Sequence, residues 1–238
     1  MKPQILNGLM VLLAIAIATG MSSAASAQES TPSQSTPPDP LTRRGKMDPR
    51  HPFHIGANYY PSGSMQNHEQ GRCILNLYIN ADGSVSATQL LKSTGYPRLD
   101  TACIESVIGV PVLPAKINGV PVAGWSEFKI NWQLGPPQYT QYPPLEKSAV
   151  PRIAEDYELQ AGKNFYPEAA RAKHQRGYCV VHTTVDSSGA ALDPRITRST
   201  GSEILDKTCL AAVAAAKFNS ELQDGQPVAD STDIAIYW

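Results

Sequence analysis

One frame occurs twice in this chain, and that limits what it can fold into more than any other feature. Residues 71–103 read GRCILNLYINADGSVSATQLLKSTGYPRLDTAC, and residues 177–209 read GYCVVHTTVDSSGAALDPRITRSTGSEILDKTC. Gly71, Cys73, Gly83, Ser93, Thr94, Gly95, Leu99, Asp100 and Cys103 each recur 106 residues later, as Gly177, Cys179, Gly189, Ser199, Thr200, Gly201, Leu205, Asp206 and Cys209. The register runs outward without a gap. Tyr60-Pro61 returns as Tyr166-Pro167, and Gly119, Pro121, Val122, Ile130 and Trp132 return as Gly225, Pro227, Val228, Ile236 and Trp238. A constant offset over that span is an internal duplication, and its period is that of a small domain plus a linker rather than a solenoid unit.

The N-terminal end points to export. Lys2 precedes an apolar run, Leu9–Met21, and Ala25-Ser26-Ala27 fits a small-x-small cleavage site. The run is shorter than the roughly 20 apolar residues a spanning helix needs. Residues 1–27 therefore read as a cleaved signal peptide, with a retained inner-membrane anchor as the alternative. Residues 28–56 read as a disordered Pro/Ser-rich leader and 135–162 as a Pro-rich linker. They leave two domains, 57–134 and 163–238. In an exported chain the four cysteines favour disulfides. Of the three possible pairings the duplication favours Cys73–Cys103 and Cys179–Cys209, since equivalent residues of two copies are placed equivalently. Four buried free thiols are the alternative. A net charge of −1 with no basic stripe argues against nucleic acid or anionic lipid as a partner.

Each copy reads as helix, strand, strand, helix, strand. Residues following Tyr60-Pro61 and Tyr166-Pro167 predict a helix ending at Gly71 or Gly177, weaker in repeat 1 because of Gly63 and Ser64. Cys73, Leu75, Leu77 and Ile79 alternate as one face of a strand. Asp82-Gly83 marks a hairpin turn. Leu99, Cys103, Ile104 and Val107 form one stripe of a helix. The fold class is α+β: two tandem copies of a small three-stranded antiparallel sheet with helices on one face. In the last strand of repeat 1, Trp125, Phe128, Ile130 and Trp132 are expected to pack inward while the backbone edge stays available.

No catalytic constellation emerges. The chain has no G-x-S-x-G, P-loop, H-E-x-x-H or G-x-G-x-x-G. His68 and His174 read as surface histidines rather than metal ligands. The Ser-Thr-Gly triplets are explained by a strand-to-helix turn. The reading is a non-enzyme without cofactor, metal or small-molecule substrate.

Tyr-Pro before the first helix, Gly-x-apolar-x-apolar opening a strand, Ser-Thr-Gly followed by Leu-Asp, Leu113–Val122 (LPAKINGVPV) and an alternating last strand together resemble the TonB C-terminal domain family. The resemblance covers about residues 57–134 and 163–238. It implies peptide binding by strand addition to an exposed sheet edge. Asn58, Tyr59, Tyr60 and Pro61, and their counterparts Asn164, Phe165, Tyr166 and Pro167, would lie near the binding region, with Trp125, Phe128, Ile130 and Trp132 on the binding strand. The implied partner is an extended segment of an envelope protein, such as an outer-membrane transport receptor, met in the periplasm. An inner-membrane-anchored energy transducer and a structural envelope scaffold are the competing readings.

Overall fold

The computed structural model describes residues 44–135 and 150–238. The residues expected to form the signal peptide (1–27), those read as leader up to residue 43, and linker residues 136–149 lie outside them. Repeat 1 comprises α1 (Ser62–Gln66), β1 (Gly71–Ile79), β2 (Val85–Lys92), α2 (Pro97–Glu105) and β3 (Gly124–Trp132). Repeat 2 follows with α3 (Glu168–Arg171), β4 (Tyr178–Val185), β5 (Ala191–Arg198), α4 (Glu203–Ala214) and β6 (Asp230–Tyr237). The first helices are short in both copies. Each ends where a histidine, His68 or His174, takes a positive φ of 54° or 50°. These residues, rather than Gly71 and Gly177, stop the helices, so the histidines have a backbone role their surface position did not suggest.

The hairpin turn is built the same way twice. Asp82 Oδ1 accepts from the Ser84 amide at 2.9 Å, and Asp186 Oδ1 accepts from the Ser188 amide at 2.8 Å. Gly83 has φ +86°, and a Cβ there would stand 2.5 Å from the Val112 carbonyl, so only glycine fits. Both disulfides form within their repeats, each with its Cα atoms 6.7 Å apart. Each bridge ties the first long strand to the core stripe of the long helix. Leu99 and Cys103 are fully buried on that stripe in repeat 1, and Val107 is buried just beyond the end of the helix.

The two repeats share one six-stranded antiparallel sheet, in the order β5-β4-β6-β2-β1-β3. The junction pairs the last strand of repeat 2 with the second strand of repeat 1: Ile234 opposite Gln89, Ala235 opposite Thr88, and Ile236 opposite Ala87. Directly opposed residues share a face. Tyr78 faces Ala87, Ala87 faces Ile236, and Ile236 faces Cys179. Cys179 lies on the helix side of repeat 2, while Tyr78 lies on the side of β1 opposite its own helix. Helices therefore sit on one face within each repeat but on opposite faces of the joint sheet.

This inversion corrects the expectation for Trp125. It stands three residues from Phe128 and points to the face opposite Phe128, Ile130 and Trp132. There it joins Tyr78 in a core with Ile153, Leu159, Val181, Val213 and Ile236 of repeat 2. Residues 150–162, read as linker, form much of that contact. Arg152–Ile153 pairs with Phe218–Asn219, and the equivalent Lys46–Met47 pairs with Val112–Leu113. Residues 44–56, read as leader, thus form the matching arm of repeat 1.

Candidate functional site

The sheet has two outer edges, β3 and β5, and they differ. Along β3 the backbone runs regularly opposite β1 from Gly71–Trp132 to Ile79–Gly124. Among the described residues, no strand pairs with its other side. This row of amide N–H and carbonyl groups is the feature an extended segment could use.

Side chains on both faces hold β3 in place. On the helix side Ser126 accepts from the Gly45 amide at 2.8 Å, Phe128 meets Phe53 edge-on at 5.3 Å, and Ile130 and Trp132 are buried. The Trp132 indole N–H points at Cys103 Sγ, 3.2 Å away, and Trp238 repeats this toward Cys209 at 3.3 Å. On the other face the Trp125 indole donates to the Tyr157 carbonyl at 3.3 Å, and Glu127 pairs with Arg152 at 3.2 Å. Lys129 and Asn131 are exposed. The strand is thus fixed by repeat 1 on one face and by repeat 2 on the other, and its outer backbone needs little reordering to accept a guest.

The two aromatic turns are no longer equivalent. In repeat 1 the single turn Ala57–Tyr59 leaves Asn58 exposed and stacks Tyr59 on His54 at 4.9 Å. Tyr60 is buried edge-on to Trp132 at 5.4 Å, its hydroxyl bonded to the Glu69 carbonyl, and Pro61 follows as the N-cap of α1. The Tyr60 ring therefore reaches the end of β3 from the core, while Tyr59 lies away from the strand toward α2. In repeat 2 the turn Lys163–Phe165 lies at the junction. Asn164 donates to Asn80 Oδ1 at 3.3 Å and Lys163 pairs with Asp82. Phe165 and Pro167 are half-buried, and Tyr166 meets Trp238 at 5.7 Å. Asn164 is committed to joining the repeats rather than standing free for a partner.

The Ser-Thr-Gly triplets are a structural device. Asp100 accepts from the Thr94 amide and hydroxyl, each at 2.7 Å, and from Ser93 Oγ at 2.5 Å. Asp206 repeats the set with Thr200 and Ser199 at 2.8, 2.7 and 2.5 Å. Among the described residues no group of three or more His, Cys, Asp or Glu is placed to hold a metal, and no helix is long and apolar enough to cross a membrane.

Sequence reasoning missed Phe53, Tyr78 and Arg152, which flank β3 or support it. A faint signal was there: Lys46-Met47, Phe53 and Gly56 match Arg152-Ile153, Leu159 and Gly162 at the same offset.

A family model described as "Gram-negative bacterial TonB protein C-terminal" matches residues 56–134 and again 162–238. Protein TonB of Neisseria meningitidis serogroup C is 32% identical over 71 residues, covering 30% of this chain and 23% of that protein. Protein tonB2 of Pseudomonas aeruginosa is 32% identical over 82 residues, covering 34% of this chain and 30% of its own. The matched stretch thus spans less than a third of either relative. Matched over both halves, the chain belongs to the TonB C-terminal family and carries that domain twice.

Proposed function

We propose that the protein acts by binding, as a periplasmic TonB-like module that pairs with extended segments of envelope proteins such as outer-membrane transport receptors. The observation that carries this reading is the well-supported edge of β3, with which no strand among the described residues pairs. Main-chain groups supply affinity in strand addition, so no diagnostic polar side chain is required. Export and cleavage after Ala27 place the mature chain, beginning at Gln28, in the compartment where such segments are met.

Amide hydrogen exchange tests the edge. A peptide copied from the periplasm-facing segment of an outer-membrane receptor should slow exchange at residues 127–133 and leave β5 unchanged. Amides at 127–133 that are already protected in the free protein, or that stay unchanged at saturating peptide, would rule out this mode of binding. The N-terminus of the chain recovered from the cell envelope tests the location. It should begin at Gln28, and a full-length chain in inner membranes would favour an anchored transducer.

A further inference from the structure

We infer that the Asp193-Pro194 dipeptide guards the protein against polymerising through its own sheet. The junction joins two copies of one fold head to tail, with strand direction and helix side inverted at each step. A head-to-tail contact that does not close on itself repeats without limit. The two free edges, β3 and β5, are the counterparts of the two strands already paired. A second chain could thus present β5 to β3 just as β2 is presented to β6.

The offset of 106 residues fixes the register of that contact. Ile234, Ala235 and Ile236 correspond to Phe128, Lys129 and Ile130 on the free edge of β3. Their partners Gln89, Thr88 and Ala87 correspond to Arg195, Pro194 and Asp193 on β5. The change from Ala-Thr to Asp-Pro takes in two of the three paired positions, with Pro194 at the centre of the ladder. Pro194 has no N–H to give, and Asp193 takes a φ of +47°, which breaks the extended path. The pairing of β5 with β4 slips at the same place, between Leu192 and Arg195. Proline, a bulge and a charge are three ways in which sheet edges are kept from joining.

The seat beside the edge has changed in parallel. Tyr78 and Trp125, which receive the arm of repeat 2, correspond to Thr184 and Ser231. The arm residue Ile153 is 1% exposed at the junction, whereas its counterpart Met47 is 42% exposed, with no neighbouring repeat to cover it. Repeat 1 keeps the arm of a propagating unit while repeat 2 has lost the surface to receive it. The contact is therefore made once, inside the chain, and β3 stays open for a foreign strand. Only that last step rests on the function proposed above.

Two experiments test the guard without a receptor peptide. Sedimentation of the intact protein should give monomers across a wide concentration range. The variant D193A/P194T, which restores the residues of repeat 1, should at least double in mass as concentration rises, with new amide protection at residues 127–133. A folded variant that remains monomeric, or wild-type protein that assembles through β3 and β5, overturns the proposal. The second experiment leaves the protein unmutated. A peptide of residues 85–92 (VSATQLLK) should protect the β3 edge, and a peptide of residues 191–198 (ALDPRITR) should not. Equal protection by the two, or none by either, also overturns it.

Discussion

Asp100 and Asp206 show why a motif recurs without chemistry. Each carboxylate gathers an amide and two hydroxyls at a sharp exit from a strand, and its own helix begins within the same turn. The repeated Ser-Thr-Gly…Leu-Asp spacing is therefore the spacing of one acceptor and its donors. In the sequence the Ser-Thr-Gly triplets read as a strand-to-helix turn, but the three bonds to the acid are not visible there, because donors and acceptor lie six and seven residues apart. Asp100→Ala should destabilise the protein by about 2 kcal/mol, the scale for losing hydrogen bonds to a charged acceptor, with denaturant titration as the measurement. Burial pushes the Asp206 carboxyl up, but the bonds from Ser199 and Thr200 outweigh it and hold the group below the usual carboxylate range. A depressed carboxyl contributes stability above its unfolded value, and that contribution is lost as pH falls through the folded value. Wild-type protein should accordingly lose more stability than Asp206→Asn on acidification. Equal losses would assign the acid sensitivity elsewhere.

Among the elements, β3 separates what the sequence could show from what it could not. Its length, its place at the end of the repeat and its alternation were all readable, since Phe128, Ile130 and Trp132 obey a period of two. Trp125 breaks that period, and one repeat alone offers it no partner. Its burial needs the second copy to arrive on the opposite face, a relation set by strand order rather than by local pattern. The same holds for Gln89. It is fully buried and donates to the Pro151 carbonyl at 2.5 Å and to Thr232 Oγ1 at 2.8 Å, while accepting from the Ile153 amide at 3.3 Å. In the sequence it is one polar residue in a strand. In the fold it fixes the register between the arm, β2 and β6. Trp125→Ala should cost roughly 3–5 kcal/mol, as large aromatic truncations in cores do, and should loosen the arm at residues 150–162 as seen by amide exchange. A loss confined to repeat 1, with the arm still protected, would contradict the shared core.

At the scale of the whole molecule the repeats share one sheet and a core, and this changes what a cut in one repeat should do. Read from sequence, a Pro-rich spacer separates two independent domains, so removing one disulfide is a local event. In the fold, β6 completes the sheet of repeat 1, and Tyr78 and Trp125 complete the core of repeat 2. An ion pair between Asp82 and Lys163 also spans the junction and draws the Asp82 carboxyl down to about 2, chiefly through its bond with Lys163. That contribution is present above pH 4 or so and fades as pH falls toward 2, so the junction should hold in mild acid and loosen only below about pH 4. Cys103→Ser should remove about 2–5 kcal/mol. Because the copies share strands and core, the loss should appear in both. Of the three tryptophans, Trp125 and Trp132 lie in repeat 1 and Trp238 in repeat 2. In a background with Trp125→Phe and Trp132→Phe, which keeps an aromatic ring at both buried positions and serves as the reference, Trp238 reports on repeat 2 alone. In urea, its fluorescence and the far-ultraviolet circular dichroism of the whole chain should move together to a lower midpoint when Cys103→Ser is added. If Trp238 keeps its original midpoint while the dichroism signal splits into two steps, the repeats fold independently and the junction is only a surface contact.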